Sequence, residues 1–447
     1  MNTNRRDFIK KTTLASAGVA MSGLAMGMSA RSYGRIIGAN DRLNIGIIGL
    51  GRRLGAYFEP IAKNDNNVQL LYLCDVMKSQ REKAAKRFAE HIDYTPNLEN
   101  DIRKVIEDPD VDILINATPD HWHTPGTIMA LKGGKHVYVE KPCSHNMLEN
   151  ELIVEVQKKY GKFVQVGTQQ RSSPHTIEIV NEIHNGVIGT AYEAIAFYTN
   201  NRGECPVQKK VSVREGMDWE LFQGPAPRRE YTEETWDYNW HWYGWDYGTA
   251  ESGNNGTHEM DVARWALQVD FPNRVDVEAE KRHFLNDGWE MYDTMLATFR
   301  FAGDKVIQWD GKSRNGYSTY GYDRGTIIYG SEGSVFVNRS LYILYDRNGK
   351  EIRRSESTSN EAGTALGGGG DTSTVHVENL CEAIRGNGSL RAPIEESTKS
   401  HSMVHYSNVA YRIGEGFDID DQTGKMLSKK AMKLWGREYE NGWEPEV

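Results

Sequence analysis

Val137-Tyr138-Val139-Glu140-Lys141-Pro142 is a short β-branched and aromatic run that ends in Glu-Lys-Pro. The run reads as a buried strand. The proline ends it and fixes the turn that carries Lys141. In an open parallel sheet, ligands sit outside the carboxyl ends of the strands. Lys141 would then hold an ammonium group where a substrate meets a cofactor. Taken alone, the tripeptide reads more plainly as a surface lysine after a strand. The residues on either side decide between the two.

Outward from this stretch, strands and helices alternate. The pattern predicts strands over 43–49, 68–75, 111–117, 136–140 and 163–167, and helices over 79–91, 124–132 and 146–160. Ala84, Ala85 and Phe88 share one face of the first helix. Asn146 and Glu149 form a capping pair at the start of the last. Alternation at this spacing predicts an α/β fold with a doubly wound parallel sheet, a Rossmann domain over 43–168.

The first strand runs into Gly49-Leu50-Gly51-Arg52-Arg53-Leu54-Gly55. Gly49 permits a tight turn and Gly51 lets the backbone approach a pyrophosphate. A following helix is expected to offer its free N–H groups to that anion. Leu50 and Arg52 are assigned to the same cofactor turn. Strict Gly-x-Gly-x-x-Gly spacing puts the third glycine at 54, where Leu54 stands; Gly55 is one residue later. Asp75 ends the second strand 20 residues after Gly55 (75 − 55). There a carboxylate accepts hydrogen bonds from a ribose 2′-hydroxyl and repels a 2′-phosphate. The expected cofactor is therefore NAD, with Lys78 and Arg81 near enough to leave NADP open. The plain alternative for Asp75 is a helix cap. Ala117-Thr118-Pro119-Asp120-His121-Trp122-His123 closes another strand. Thr118 and Pro119 would line the nicotinamide side, and His123 reads equally as a cofactor contact or a helix-start residue.

In order, Gly-x-Gly, a strand ending in Asp, Thr-Pro-x-x-x-His and Glu-Lys-Pro resemble the glucose–fructose oxidoreductase / inositol dehydrogenase / MocA family, over nearly the whole chain after the leader. The resemblance implies a nicotinamide cofactor, a second domain with a large open sheet, action on sugars or polyols, and a homo-oligomer, dimer or tetramer. It sets Glu140 and Lys141 against the cofactor. It also places the domain junction near Gly167-Thr168-Gln169-Gln170-Arg171, making Gln169 a cofactor contact and Arg171 a substrate contact.

From 169 to 447 the pattern changes. A helix is expected over 175–184, then strands over 192–198, 275–284, 294–301, 305–309, 326–329, 334–337 and 341–345, and closing helices over 375–384 and 397–414. Runs of strands after a βα region predict an α+β domain with a mostly antiparallel sheet. Its leftover patterned face suits an oligomer interface. Residues 236–245 hold four tryptophans. Flat rings with polar edges suit the C–H faces of a sugar, and equally suit a loop packed on the core. Trp240 and Trp242 are assigned to the substrate. Gly253-Asn254-Asn255-Gly256-Thr257-His258-Glu259-Met260-Asp261 leads into a helix from about residue 257, with His258 and Asp261 on one face. The resemblance implies Asp-x-x-x-His here; His258 matches the histidine and Asn254 replaces the aspartate. Lys141 and His258 are thus the catalytic pair, as hydrogen-bond donor and general base. Asn254 would orient a hydroxyl or the imidazole. Asp261 either orients His258 or makes a structural helix contact. The glycine-rich 363–371 reads as a mobile loop. His401 and His405, at i and i+4, have no His-Glu-x-x-His context, so no metal is expected.

A length of 447 residues suggests two large domains. With net charge −9, pI about 5.9 and no long basic run after the leader, nucleic acid is not an expected partner. Residues 1–30 differ in character. Asn4-Arg5-Arg6-Asp7-Phe8-Ile9-Lys10 precedes a weakly apolar stretch and a small-residue cleavage site at Met28-Ser29-Ala30. This resembles a twin-arginine export signal, with 31–42 as linker; it implies the twin-arginine machinery as partner and a periplasmic location. Gly18, Gly23 and Gly27 break the segment and disfavour a permanent membrane anchor. Four scattered cysteines suggest neither zinc nor a disulfide framework. The expected activity is that of an NAD(P)-dependent oxidoreductase acting on a sugar or glycoside, with a tightly held cofactor. One alternative is glycoside cleavage through transient oxidation; another is a non-catalytic sugar-binding protein.

Overall fold

A computed structural model describes residues 41–233, 236–318, 320–356 and 371–447. The expected export signal, nearly all of the linker and the glycine loop up to residue 370 lie outside the described residues.

The first sheet has six strands: β1 (Leu43–Ile48), β2 (Val68–Cys74), β3 (Asn97–Glu99), β4 (Ile113–Asn116), β5 (His136–Val139) and β6 (Val164–Val166). Their order is β3-β2-β1-β4-β5-β6, and every pair is parallel. That is the doubly wound order, with the chain reversing direction beside β1. β4 is buried throughout: Ile113, Leu114 and Ile115 suit a strand covered by helices on both faces, and Asn116 is satisfied by donating to the His123 carbonyl at 3.0 Å. β3, Asn97-Leu98-Glu99, carries too little apolar pattern to be anticipated; the short helix Ile102–Glu107 buries Ile102, Val105 and Ile106 at helical spacing and was passed over.

Local chemistry sets the helix ends. Asn146 Oδ1 accepts from the Glu149 N–H at 3.0 Å, while Glu149 Oε2 accepts from His145 N at 2.8 Å. The capping box is therefore closed one residue early. The helix Asp120–Lys132 begins four residues before its expected start, with Pro125 inside it. Pro125 has no N–H for the carbonyl of His121. That carbonyl accepts instead from Arg437 Nη2 at 2.7 Å. After Gly51 the expected helix is a 3₁₀ segment, Arg52–Tyr57, followed by only five α-helical residues, Phe58–Ala62. Leu54, in the third glycine's place, is buried in the core.

The second sheet contains β7 (Ala191–Asn201), β8 (Arg274–Glu280), β9 (Thr294–Arg300), β10 (Val306–Lys312), β12 (Arg324–Gly330), β13 (Gly333–Val337), β14 (Leu341–Asp346), β15 (Glu351–Glu356) and β16 (Phe417–Asp418), with β11 (Arg314–Asn315) pairing β7. β7 and β10 are parallel, and the other pairs are antiparallel. One face carries the helices Pro174–His184, Thr257–Leu267 and Ile394–Ile413. On β9, Met295, Ala297 and Phe299 point into that core, and Leu296 on the other face is 41% exposed.

The two halves are not independent. Val377, Leu380 and Cys381, on the helix Asp371–Ile384, share a core with Ile45, Ile47, Leu70 and Tyr138 of the first sheet. Val166 N donates to Ala392 O at 3.0 Å, and Gln165 bridges Pro393, so later chain covers the edge strand β6. All four cysteines are buried and free. Among the described residues, no helix is long and apolar enough to cross a membrane.

Candidate active site

A long cleft opens at the carboxyl ends of β1, β2, β4 and β5 and is closed on the far side by the second half of the chain. Its open space, mouth included, is about 1590 Å³.

Gly49, Gly51, Asp75, Thr118 and Pro119 line one part of the cleft. Gly49 has φ +82, and an added Cβ would stand 2.4 Å from the Ala117 carbonyl oxygen, so a side chain is excluded on two counts. Gly51 is the opposite case. A Cβ there would meet nothing within 4 Å. The fold does not need this glycine, but a pyrophosphate drawn against the backbone would. Asp75 Oδ2 accepts from Leu50 N at 2.7 Å and Oδ1 from Met77 N at 2.8 Å. Burial pushes its carboxyl up, and these two N–H groups pull it back. A carboxylate so fixed still has lone pairs for ribose hydroxyls. Arg81 gives Nη1 to the Asp75 carbonyl and Lys78 pairs loosely with Glu82, so both have local partners in place of a 2′-phosphate. The Leu50 side chain, assigned to the cofactor, is instead 2% exposed within the apolar core; only its N–H contributes.

At the other end, Glu140 is buried and accepts from Arg53 Nε at 2.8 Å, Tyr57 Oη at 2.9 Å and Gln169 Nε2 at 3.3 Å. Burial, the largest single effect, raises its carboxyl, but the charge and hydrogen bond of Arg53 together with Lys141 and Tyr57 outweigh it and hold the group below the usual range. A Cβ at Gly167 would come within 2.8 Å of Glu140 Oε2, so that glycine makes room for the cluster. Lys141 follows on the turn, and its Nζ donates to the Asn254 carbonyl. That carbonyl lies in a π-helical turn, Ser252–Gly256, which runs straight into the helix Thr257–Leu267. Such insertions recur at functional sites, where they re-aim backbone groups. Burial lowers Lys141 to about 8; Asp120 and Glu140 pull it up, while Arg339 and Arg53 push it down. Asp120 is itself buried, with Oδ2 accepting from Thr249 Oγ1 at 2.5 Å and Thr249 N at 3.1 Å. His258 faces the same cleft, and burial first, then Arg339 and Lys141, hold its imidazole well below the usual range. It is neutral at pH 7.

Arg52, His123, Trp240 and Asn254 also line the cleft. Arg52 pairs with Asp237 at 2.9 Å and lies 4.4 Å over the Tyr238 ring. His123 sets Nδ1 2.6 Å from the Pro142 carbonyl and Nε2 2.7 Å from that of Thr118, tying the two turns together. Asn254 does not meet His258. Its amide donates to Tyr238 Oη at 3.1 Å and Glu251 Oε1 at 3.3 Å, and its carbonyl holds Lys141.

Three substrate assignments are corrected. Arg171 gives two hydrogen bonds, 2.7 and 2.8 Å, to Asp261, and both are buried outside the cleft. Ser400 Oγ also donates to Asp261 at 2.6 Å, so this carboxylate serves the join between helices rather than His258. Trp242 stacks on Trp289 at 3.9 Å in the second core, while Trp240, two residues earlier, faces the cleft. The sequence reading passed over Asp120, Arg53, Tyr238, Asn255 and Arg339, all of which line it. Asp120 and Tyr238 stand inside motifs already quoted; nothing in the pattern marks Arg339. His401 and His405 are buried against Cys143 and Ser144, and no metal-ligand cluster occurs among the described residues.

A profile of the oxidoreductase family with NAD-binding Rossmann fold matches residues 43–168, and one of an oxidoreductase-family C-terminal alpha/beta domain matches 194–444. A glycosyl hydrolase family 109 protein of Saccharopolyspora erythraea is 26% identical over 221 residues, 46% of this chain and 48% of that protein. Inositol 2-dehydrogenase of Salmonella typhimurium is 28% identical over 149 residues, 33% of this chain and 43% of that enzyme. The chain thus spans about half the length of the curated relatives it matches, or less. Levoglucosan dehydrogenase, solved with NADH and levoglucosan, shares the fold with TM-score 0.63 at 19% identity, over 84% of this chain and 99% of that one. The WlbA dehydrogenase of Bordetella pertussis, solved with NADH and UDP-GlcNAcA, does so with TM-score 0.61 at 17% identity, over 85% and 99%.

Proposed function

Because the chain belongs to the glucose–fructose oxidoreductase / inositol dehydrogenase / MocA family of NAD-binding oxidoreductases, we propose that it oxidises a hydroxyl-bearing carbon of a sugar or glycoside, with Lys141 and His258 serving the reacting oxygen. One observation carries this reading. Lys141, from the first sheet, and His258, from the second half, meet in one cleft with Gly51 and Thr118. Bound NAD supplies the hydride acceptor; Gly49, Gly51, Asp75, Thr118 and Pro119 would hold it. Lys141, charged at neutral pH yet close to titration, donates a hydrogen bond to the substrate hydroxyl and stabilises alkoxide character. Neutral His258 takes the hydroxyl proton. Asp120 and Glu140 keep Lys141 charged against its burial. The test is a sugar-dependent rise in reduced-cofactor absorbance that Lys141→Met abolishes while NAD binding persists. Turnover surviving that substitution removes Lys141 from the mechanism.

The glycosyl hydrolase family 109 relatives favour a second reading, in which oxidation is transient and a glycosidic bond breaks. Free sugar released without net cofactor reduction would select it.

We further propose that the cofactor is resident and the protein periplasmic. The Arg5-Arg6 leader supports export. Retention is supported by chain from the second half lying over the adenosine end: Lys78 N donates to Gly216 O at 2.8 Å, Met77 bridges Met217, and Leu221 and Phe222 line the cleft beside Asn100. Protein that leaves exhaustive nucleotide-free exchange empty would end this proposal. The half-exposed face of the second sheet, with Leu296 and Tyr192, supports a homo-oligomer, a dimer or tetramer, which sedimentation would measure.

A further inference from the structure

Tyr238 lines the cleft with Gly51, Arg52, Lys141 and Asn254, and the chemistry above gives it no task. Two parts of this one side chain are engaged. Its ring takes the Arg52 guanidinium at 4.4 Å, and the Arg202 guanidinium lies 5.7 Å from the same ring centre. Its hydroxyl accepts from Asn254 Nδ2 at 3.1 Å, and the Asn254 carbonyl accepts from Lys141 Nζ. Arg52 directly follows Gly51, whose missing side chain leaves room for a pyrophosphate. Tyr238 therefore touches the cofactor turn with its ring and reaches the catalytic lysine through a single residue with its hydroxyl. Magnitudes favour both contacts over their neighbours. Arg52 also pairs with Asp237, but those side chains are 43% and 50% exposed, and exposed ion pairs contribute little. A guanidinium on an aromatic face contributes at least as much at an exposed site, and more once water is excluded. The Asn254 amide also donates to Glu251 Oε1 at 3.3 Å, but Glu251 is shared with Asn255 Nδ2 and Arg202 Nε. The Asn254 carbonyl takes one of three Lys141 protons and leaves two for a substrate. Where that carbonyl stands decides where the two remaining N–H groups point.

We propose that Tyr238 is a positioning residue with two separable tasks. Its ring holds Arg52, and with it the cofactor turn, against the second half of the chain. Its hydroxyl fixes Asn254, so that the Asn254 carbonyl keeps Lys141 aimed at the reacting oxygen. The hydroxyl task rests on the sugar-oxidising reading of the cleft; the ring task needs only a bound dinucleotide. The experiment compares wild type, Tyr238→Phe and Tyr238→Leu. It measures NADH release, followed by fluorescence on chasing with excess NAD, and single-turnover hydride transfer and KM for myo-inositol, levoglucosan and methyl glucosides. Tyr238→Phe should slow hydride transfer by about 3–10-fold, the worth of one hydrogen bond, with NADH release and sugar KM held. Tyr238→Leu should add faster NADH release, by about 3–30-fold, the worth of the lost cation–ring contact. That second effect should vanish in an Arg52→Gln background, because the ring acts through Arg52. If Tyr238→Leu does not fold, faster release in Tyr238→Met carries the ring task. Hydride transfer untouched by Tyr238→Phe, or a raised sugar KM at unchanged rate, would overturn the hydroxyl task; the second result would make Tyr238 a substrate contact. Unchanged release without the ring, or an equal effect in the Arg52→Gln background, would overturn the ring task. If no sugar changes the cofactor band and none is cleaved, the reading of the cleft falls and takes the hydroxyl task with it, while NADH release still decides the ring task.

Discussion

Replacing Lys141 with methionine should make the protein more stable while abolishing its chemistry. Burial lowers the Lys141 ammonium from 10.5 to about 8, so the folded state holds this charge at a cost. At about 1.36 kcal/mol per pKa unit, a shift of that size is worth about 3 kcal/mol. The direction of the pH dependence follows. Below about pH 8 the lysine is charged both folded and unfolded, and the full penalty applies. Between about 8 and 10.5 the folded protein sheds the proton first, so the penalty shrinks as pH rises, to about 2 kcal/mol at pH 9. Methionine removes the charge and keeps much of the volume, but it also removes the hydrogen bond to the Asn254 carbonyl, worth about 1 kcal/mol. Lys141→Met should therefore gain about 2 kcal/mol at pH 7 and about 1 kcal/mol at pH 9. Hydride transfer should fall by about 10³-fold or more, the loss of some 4 kcal/mol of transition-state stabilisation. Denaturant unfolding at the two pH values, with single-turnover cofactor reduction beside it, measures all three quantities. A variant less stable than wild type at pH 7, or a gap that does not narrow by pH 9, would refute the reasoning that the site strains its own fold to keep this ammonium.

Gly51→Ala should fold with near-wild-type stability, because its Cβ meets no protein atom within 4 Å, and bind NAD at least about tenfold more weakly. Gly49→Ala should instead lose about 1–3 kcal/mol in thermal or denaturant unfolding, from positive φ and a carbonyl 2.4 Å from the new Cβ. Asp75→Ala should cost NAD about 10–100-fold in affinity by titration calorimetry, the worth of a hydrogen bond to a charged group, and should narrow the preference over NADP. Asp261→Asn leaves the buried Arg171 guanidinium without its carboxylate and should cost about 3–5 kcal/mol in unfolding, with the NAD affinity of the folded fraction unmoved. A stable Asp261→Asn protein with altered sugar affinity would return that pair to the substrate.

Much of the first sheet could be read in advance because parallel strands covered on both faces are near-continuous apolar runs, as at 113–115 and 137–139. The glycine turn and the position of Asp75 were legible because both lie within one βαβ unit, where local sequence sets the geometry. What failed was whatever depends on distant partners. Asp261 shares a helix with His258, but its fate was decided by Arg171, 90 residues away. Asp120 sits in a motif, but its role is set by Thr249, 129 residues on. Trp240 and Trp242 are alike in composition and two positions apart; only the fold says which ring faces the cleft and which stacks on Trp289. Arg339 is one charged residue in a hairpin turn, and hairpin turns are usually charged.

The helix Asp371–Ile384 completes the first core, and this constrains the order in which the chain can settle as it is made. Residues 43–168 emerge from the ribosome first, yet Cys381, which closes their core, follows 213 residues after the last of them (381 − 168). At typical synthesis speeds of about 5–20 residues per second, that is roughly 10–40 s with apolar surface bare and the β6 edge open to any passing strand. A chain truncated before residue 371 lacks Val377, Leu380 and Cys381 from the first core and should be cleaved by a protease faster than the full chain. On the twin-arginine reading of residues 1–30, the same interval sets the earliest moment at which the leader can safely be engaged.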